Sequence, residues 1–538
     1  MQQGNRLQRA AEQTRIDAAR SIVHDFPAPL QNALLSEWER NRHADGEPFH
    51  QNYIAYLRLR QRRDQLEEAH SRIAFDEDQI SAKAARCARF CLRARSIEMM
   101  ESICEGQGIE PPSADAYPEQ RGRINRMRCE KWWRRQLHRH YSRAAEGAMR
   151  ELGLVHRKAG LYCSDATVKR RSDQKSRQRD LLREIVAVND LGDQLTLFEL
   201  AQTSVSNPAL RRAELMTRIR GFEEVAEAAG HVAEFYTFTT PSRFHPYHYS
   251  GERNDRYTSE LTPRDAQAWL RLCWSRIRAK LRRLSISVYG FRVAEPHHDG
   301  TTHWHLLLFM PKRHAGTVRA VCEGYLLADE GGEPGASKHR FVAVSIDAAK
   351  GTAAGYIAKY VAKNIDGFEV GEDWESDDDT QATDTSARVD AWASTWGIRQ
   401  FQQIGGPSVG IWRELRRIRD VDGIKHSLRA IEAARLAADS GDWAAFINSL
   451  GGIEVRNGDM RLAKRQTGEC NEYGELKAAV IIGVKRGLTV VLTRLRVWTF
   501  AFRDRVQLLT RVQGAQRRGP ARRSEPKRGP PTMSERDI

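Results

Sequence analysis

Apolar residues in the first 220 positions recur every three or four residues, and runs of β-branched residues are few. That spacing is the period of an α-helix with one buried face. The same stretch is rich in Ala, Arg, Glu and Leu, which favour helix. We therefore predict that residues 1–220 form a mostly helical, basic N-terminal region.

The pattern changes after residue 225, where short strand-like runs alternate with amphipathic segments. Thr262 and Pro263 are residue types that begin a helix, and they start the first of these segments. The predicted order is β-α-β-β-α-β-α, a split βαβ motif with one extra helix. The predicted fold class is therefore α+β, with a ferredoxin-like antiparallel sheet flanked by helices in a central domain over residues 225–368. The predicted strands contain EFYTFTT, SISVYGFRVAE, HWHLLLFM and FVAVSI.

Two polar stretches follow the predicted domain. Residues 369–387 are acidic, poor in aliphatic residues and rich in turn formers, which predicts a flexible insertion. Residues 511–538 are basic and rich in proline, which predicts a disordered tail. Between them, residues 388–505 return to an aromatic-rich pattern, and we predict an ordered C-terminal region there.

The charge of the chain narrows the choice of partner. Its 86 Lys and Arg residues exceed its 70 Asp and Glu residues, giving a formal charge of +16 and a pI near 9.6. Such a chain suits a polyanion, either nucleic acid or an anionic membrane surface. No membrane span is expected, because Lys485 and Arg494 interrupt the longest apolar stretches well below the roughly 20 residues that a span needs. The run from Arg134 to His140 fits either a DNA-binding helix or a solvated amphipathic face.

The eight cysteines are expected to be thiols. The N-terminal sequence has no apolar signal-peptide core, so we expect the chain to remain in a reducing cytoplasm. Five of them lie in the first third of the chain, and no pair among these has the C-x-x-C spacing of a zinc site. We interpret these five as small buried core residues: Cys87, Cys91, Cys104, Cys129 and Cys163.

Two histidines stand at the head of the predicted strand HWHLLLFM. Residues i and i+2 of a strand share a face, so His303 and His305 project side by side while Trp304 points the other way. Two neutral imidazoles so placed can bind one cation, although core histidines satisfied by hydrogen bonds fit the same pattern. The apolar residues that follow on both faces indicate a central strand.

A third ligand is predicted from the hairpin. If the strands on either side of the turn PHHDGTT pair symmetrically, Glu295 lies opposite His303 and on the same face. Glu295, His303 and His305 then form one cluster suited to Mg²⁺ or Mn²⁺, with His297 and His298 as reserve ligands. A register shift of one residue would remove Glu295 from that face.

The segment YIAKYVAK places two tyrosines one helical turn apart. At about 100 degrees per residue, Lys363 lies between the flanks of Tyr356 and Tyr360, with Lys359 close by. An aromatic stripe that only packs a core does not usually include two lysines. Neighbouring cations favour the phenolate, which can attack phosphorus, so we predict that the two tyrosines are nucleophiles.

In combination, H-hydrophobe-H followed by Y-x-x-K-Y-x-x-K resembles the paired-tyrosine rolling-circle replication initiators of phages. The resemblance is strongest to the replication gene A protein family of peduovirus-type phages and prophages, which are HUH endonucleases, and it runs from about residue 85 to 500. The similar motifs are TFTTPSRFH, EPHHDGTTHWHLLLF for the metal, YIAKYVAK for the tyrosines, and a further block, WGIRQFQQIGGP.

The resemblance implies a site- and strand-specific DNA endonuclease. Such an enzyme nicks the phage origin, forms a 5′-phosphotyrosine link and rejoins strands, and it thereby initiates and terminates rolling-circle replication. The resemblance also implies that Glu295, His303 and His305 hold Mg²⁺ or Mn²⁺. Tyr356 and Tyr360 would attack the phosphate, in an order that the motif leaves open.

The same resemblance assigns charge stabilisation to Lys359 and Lys363, and contact with the origin strand to Ser242, Arg243 and His245. The expected partners are phage origin DNA and the host helicase, polymerase and single-strand-binding protein, in the cytoplasm of the host bacterium, without a membrane. Unwinding is expected from the host helicase, because the chain contains no G-x-x-x-x-G-K-[ST] motif.

Two other hypotheses stay open. A related HUH transposase or relaxase would share the metal and tyrosine chemistry but recognise a different DNA end. A non-catalytic DNA-binding protein with a degenerate site would leave a supercoiled origin plasmid unrelaxed.

Overall fold

The structure, a computed structural model, describes residues 2–24, 26, 28–42, 55, 57–61, 63, 77–347, 349, 351–367, 382–418, 429–455 and 457–506. The predicted tail at 511–538 lies outside these residues, as does the predicted insertion up to residue 381. Residues 382–387, also assigned to the insertion, instead begin a helix, because its later turns bury Trp392 in the core. The chain forms two compact units, one of residues 1–174 with 208–493 and one of residues 175–207 with 494–538.

The N-terminal region is helical. Helices α3 to α6 share an apolar core around Trp133, and α6 also packs on a second core with α1 and α2. Cys87, Cys91 and Cys104 are buried in the first of these cores, where burial raises the pKa of Cys91 to about 11. These three cysteines are therefore core residues, as predicted. The helices are α1 (Gln2–Val23), α2 (Ala28–Arg42), α3 (Glu77–Arg93), α4 (Ile97–Glu105), α5 (Gln120–Met127), α6 (Glu130–Glu151) and α7 (Asp165–Glu184).

The smaller unit contains a three-stranded antiparallel sheet. Its central strand β1 (Ile185–Asn189) pairs with β2 (Gln194–Thr196) and with β11 (Trp498–Phe502), and the short helix α8 (Leu197–Gln202) follows β2. Both β1 and β2 lie within the predicted helical region, so these strands were not predicted. They form strands because IVAVN is rich in β-branched residues, which pack well on a pleated surface.

The larger unit is organised around a five-stranded antiparallel sheet. The first four of its strands and the helices between them follow the predicted β-α-β-β-α-β-α order, and the strands lie in the order β6-β3-β5-β4-β7. Strand β7 was not predicted and extends the sheet beside β4. The strands are β3 (His231–Phe238), β4 (Tyr289–Pro296), β5 (Thr302–Pro311), β6 (Phe341–Ser345) and β7 (Phe401–Ile404). The helices are α9 (Pro208–Ala228), α10 (Pro263–Arg283), α11 (Ala315–Leu327), α12 (Ala336–His339), α13 (Ala353–Lys363) and α14 (Ala382–Trp396).

Alternation along β5 sends its side chains into two different cores. Leu307 and Phe309 belong to the apolar cluster that includes α9 and α13, whereas Trp304 belongs to the cluster that includes α10 and α11. Every residue of β5 except the last is buried, as predicted for a central strand covered on both faces. His303 and His305 alternate with Trp304 and therefore lie on the α13 side of the sheet.

The remainder of the larger unit adds helices and a second sheet. Helices α15 (Val409–Leu415), α16 (Arg429–Ser440) and α17 (Trp443–Ser449) extend the apolar cluster under α9. Strands β8 (Met460–Arg465), β9 (Val480–Arg486) and β10 (Thr489–Leu492) form an antiparallel sheet in the order β10-β9-β8. None of the helices in the described part of the chain is both long and apolar enough to cross a bilayer.

Replacing Trp304 by alanine tests the packing under the sheet on the α10 side. The ring is fully buried, its Nε1 donates a hydrogen bond to Gln267 Oε1 at 2.7 Å, and Arg292 lies over it. Because truncating a buried tryptophan costs about 3–5 kcal/mol, we expect a clearly lower midpoint of thermal unfolding by circular dichroism. Trp304→Phe keeps most of the ring and should lower the midpoint less. Equal midpoints for the alanine variant and the wild type would contradict this packing.

Candidate metal and tyrosine site

Three buried side chains with metal-binding atoms meet on the α13 side of the sheet. Glu295 pairs directly with His303 across strands β4 and β5, which confirms the register predicted from the hairpin. His303 Nε2 lies 2.9 Å from His305 Nε2, and His305 Nε2 lies 3.8 Å from Glu295 Oε2. One ligand atom from each residue lies within 4.8 Å of the others, and this is the only such group of His, Cys, Asp and Glu among the described residues.

The protonation and hydrogen bonding of this cluster suit a divalent cation. Burial, the Lys363 ammonium and His297 hold the pKa of His303 and His305 well below the usual value, so both imidazoles are neutral, as metal ligands must be. His305 Nδ1 lies 3.1 Å from Thr237 Oγ1, which turns Nε2 towards the cluster. Two imidazole nitrogens and a carboxylate oxygen form a plausible donor set for Mg²⁺ or Mn²⁺.

Further histidines pack behind the cluster. The His297 ring stacks against His303 with centroids 4.0 Å apart, and His245 lies 5.2 Å from His297. His245 Nδ1 is 3.0 Å from Asp299 Oδ2. Burial alone would raise the pKa of the Asp299 carboxyl, but His245 holds it well below its usual value. His245, predicted to contact DNA, therefore lies beside the metal cluster and is oriented by a buried carboxylate.

The turn that carries His297 and Asp299 is held from outside the sheet. Arg150, buried in α6, donates from Nε to Asp299 O at 3.0 Å and from Nη2 to Thr301 Oγ1 at 3.1 Å. Trp392, in α14, donates from Nε1 to Gly300 O at 2.8 Å. Neither Arg150 nor Trp392 was predicted, because each is one arginine or tryptophan among many on an ordinary amphipathic helix.

Helix α13 carries both tyrosines over the cluster. The Tyr360 ring lies 4.3 Å from the His305 ring and is half-buried, whereas Tyr356 is 40% exposed. Phe235 of β3 lies between them, with its ring centroid 4.9 Å from Tyr356, 5.2 Å from Tyr360 and 5.4 Å from His305. The sheet therefore presents the metal cluster and the two phenols on one face.

The two predicted lysines occupy different places. Lys359 Nζ lies 5.0 Å from the Tyr360 ring centroid and 6.0 Å from that of Tyr356. Lys363 is buried, and its Nζ lies 4.8 Å from the Tyr162 ring centroid. Lys363 thus points into the protein rather than between the flanks of the tyrosines, where helical geometry alone placed it.

Both ends of α13 are tied to neighbouring elements. At its N-terminus, Glu223 of α9 accepts hydrogen bonds from the backbone N–H groups of Ala353 and Ala354. At its C-terminus, Asn364 Nδ2 donates to Glu295 Oε1 and to Tyr360 O. Asn364 therefore joins the tyrosine helix directly to the metal cluster. It stands in the predicted tyrosine helix, but its amide was not recognised as a link.

The two other residues predicted to contact DNA are held by acidic side chains. Ser242 donates from its backbone N–H and its hydroxyl to Glu333. Arg243 forms ion pairs with Asp329 at 2.7 Å and with Glu330 at 2.8 Å. Their contact with DNA stays a prediction.

Comparison with known proteins identifies the family. Residues 103–368 match the bacteriophage replication gene A protein family. The replication gene A protein of Escherichia phage 186 is 40% identical over 403 residues, which are 73% of this chain and 58% of that protein. The chain belongs to the bacteriophage replication gene A protein family. The part matched to the gene A family contains the metal cluster, the tyrosine helix and Arg150.

Other relatives of this chain carry related names. The replication protein of Haemophilus phage HP1 is 38% identical over 378 residues, 69% of this chain and 48% of that protein. A probable replication endonuclease from a prophage-like region of Salmonella typhimurium is 34% identical over 365 residues, 65% of this chain and 45% of that protein. The chain thus spans about half the length of the relatives it matches. No solved structure matches it.

Substituting Glu223 by alanine tests how the tyrosine helix is anchored. Two N-terminal N–H groups of α13 would lose their acceptor, at a cost of about 1 kcal/mol. We expect faster hydrogen exchange of the peptide covering residues 353–363, measured by mass spectrometry. Glu224→Ala on the same helix removes a carboxylate that pairs with Arg220 instead and should leave this exchange unchanged. Equal hydrogen exchange of residues 353–363 in the two variants would contradict the role of Glu223 as the anchor of α13.

Proposed function

We propose that this chain is a metal-dependent DNA endonuclease and strand transferase of the HUH type, acting at a phage replication origin. The observation that carries the proposal is the position of the Tyr360 ring, 4.3 Å from His305 in the Glu295, His303 and His305 cluster. A nucleophile and a cation site so close together suit attack on a phosphodiester.

In this proposal Glu295, His303 and His305 hold Mg²⁺ or Mn²⁺. When bound, the cation would polarise the scissile phosphate. The surrounding protein prepares the metal ligands. Thr237 orients His305, Asn364 orients Glu295, and burial keeps the imidazoles neutral.

The covalent step is a transesterification. The phenol oxygen of one tyrosine forms a bond to phosphorus, the bond from phosphorus to the 3′ oxygen breaks, and that oxygen takes a proton to become a 3′-hydroxyl. The DNA remains attached through a 5′-phosphotyrosine, which conserves the bond energy, so no ATP is needed. Lys359, beside both rings, would stabilise negative charge on the phosphate. The buried Lys363 would contribute positive charge close to the two histidines.

Two tyrosines allow initiation and termination by one molecule. After one circuit the second tyrosine cuts the regenerated origin, and the new 3′-hydroxyl attacks the first phosphotyrosine to close a single-stranded circle. The protein stays attached through the second link. Tyr356 and Tyr360 share one face of α13 and both contact Phe235, as this exchange would require.

The names of the relatives support a replication role. They include replication gene A proteins and probable replication endonucleases of phages and prophages. Phage origin DNA, as a single strand or a supercoiled duplex, would be the substrate, with Ser242, Arg243 and His245 contacting the strand near the site. The host helicase, polymerase and single-strand-binding protein would be partners in the bacterial cytoplasm.

The first test is a covalent adduct. The purified chain is incubated with Mn²⁺ and an origin-bearing oligonucleotide, and a denaturation-resistant protein–DNA species is sought on a gel. We expect an adduct in the wild type and none in the Tyr356→Phe/Tyr360→Phe double variant, and the single variants show which phenol nicks. Tyr325→Phe is the matched control and should behave as wild type, because Tyr325 packs in the core on the opposite face of the sheet. An adduct that persists in the double variant would refute the tyrosine mechanism.

A second test concerns the cation. Titration calorimetry with Mn²⁺ should show one strong site in the wild type and at least a tenfold loss of affinity in His303→Ala and in His305→Ala, since each removes a ligand. His248→Ala alters an exposed histidine and serves as the control. Chelation by EDTA should abolish the adduct. Unchanged Mn²⁺ affinity in both cluster variants would place the cation elsewhere.

A further inference from the structure

A cavity of about 640 Å³ opens between the helical region and the sheet domain, outside the site already described. Helix α6, the loop at 108–117 and the first turn of α10 line most of it, and Trp396 at the end of α14 closes one wall. Its volume lies in the range of pockets that bind small ligands or single nucleotides.

Three arginines give this cavity a positive wall. Arg139 and Arg143 line it from α6, and Arg264 lines it from α10. Burial, together with Arg264 and Arg139, lowers the pKa of Arg143 to about 10, as expected where like charges converge. Glu110 and Glu151 also line the cavity.

Among the described residues, these arginines have no carboxylate partner. In the described part of the chain, no carboxylate oxygen lies within 4.0 Å of a guanidinium nitrogen of Arg139, Arg143 or Arg264. Other arginines of the same unit do have carboxylate partners, as Arg126 has in Glu475 and Arg243 in Asp329. Three clustered cations with no carboxylate paired to them create a site for an external anion.

A buried donor supplies an independent sign of a ligand. Trp396 is 1% exposed, and its indole Nε1–H has no hydrogen-bond partner among the described residues. An unsatisfied buried N–H costs about 1–3 kcal/mol, so a partner is expected. Because Trp396 lines the cavity, a phosphate oxygen or a base carbonyl bound there is a candidate acceptor for this N–H.

The cavity is also joined to the metal hairpin. Thr262, the N-cap of α10, lines the cavity, and the next residue, Pro263, accepts a hydrogen bond from Thr302 Oγ1 at 2.8 Å. Thr302 directly precedes His303. On the other wall, α6 carries both Arg143 and Arg150, which holds the hairpin turn. A strand lying in the cavity would therefore be positioned relative to the scissile phosphate.

We propose that this cavity binds a phosphodiester and its nucleotide in the single-stranded origin DNA, next to the segment that is cut. The inference rests on the proposed function and extends it, because it gives the helical N-terminal region a direct role in holding the substrate strand. Arg139, Arg143 and Arg264 contact the phosphate, and the Trp396 N–H donates to the nucleotide.

The test separates binding from cutting. Binding of a fluorescent single-stranded origin oligonucleotide is measured by anisotropy in EDTA, in a Tyr356→Phe/Tyr360→Phe background, over a series of salt concentrations. Arg139→Gln/Arg264→Gln is expected to raise Kd about tenfold or more. It should also lower the slope of log K against log salt by about 1 to 1.5, since each phosphate contact on a single strand contributes about 0.7. Arg143 is left in place because its Nε donates to Thr395 O.

The matched control is Arg128→Gln/Arg276→Gln, which removes the same charge from exposed positions on other surfaces. It should change Kd less than threefold. Circular dichroism establishes that both variants are folded.

Three results would overturn the proposal. The first is equal affinity of the pocket variant and the wild type, and the second is an equal loss of affinity in the pocket and control variants. The third is a mononucleotide that raises the midpoint of thermal unfolding of the wild type but not of the pocket variant, while the two proteins bind DNA equally. If the wild type forms the adduct while the pocket variant binds DNA normally, only this inference fails. If the wild type neither binds nor cuts, the proposed function fails as well.

Discussion

The pairing register of the hairpin formed by β4 and β5 is the constraint on which the site depends. Strand side chains alternate with a period of two, so only a register that sets Glu295 opposite His303 brings a carboxylate and both imidazoles to one face. That register is held firmly, because Trp304 and its neighbours fill the core on the other face. A slip of one residue would bury Glu295 among apolar residues and expose Trp304 to the tyrosine helix.

The turn of this hairpin is also stabilised by elements outside the sheet. Arg150 from the helical region and Trp392 from α14 donate to consecutive parts of the turn, and the buried Asp299 orients His245 behind the metal cluster. Backbone carbonyls buried in this way need donors. The helical region is therefore part of the structure that positions the ligands, and the family match, which begins at residue 103, includes Arg150.

Local patterns were sufficient to predict the hairpin, its register and the tyrosine stripe, because each depends on residues close together in the sequence. They were insufficient for Arg150, whose partner Asp299 lies 149 positions away, and for Lys363, whose Nζ lies beside the ring of the distant Tyr162. Strand β7 was missed because four residues beside a glycine pair carry little periodic signal. Contacts between segments that are distant in the sequence determine where these residues lie, so the local spacing of apolar residues does not predict them.

The two tyrosines lie in unequal surroundings on one helix. Tyr360 packs on His305, and the Asn364 amide bonded to its carbonyl also holds Glu295, so its position is coupled to that of the metal ligands. Tyr356 lies one turn nearer the end capped by Glu223 and is more exposed. Motion at that end would move Tyr356 with little effect on the cluster. In the proposed function, one nucleophile is therefore fixed and the other adaptable, which suits two cleavages made on differently bound strands.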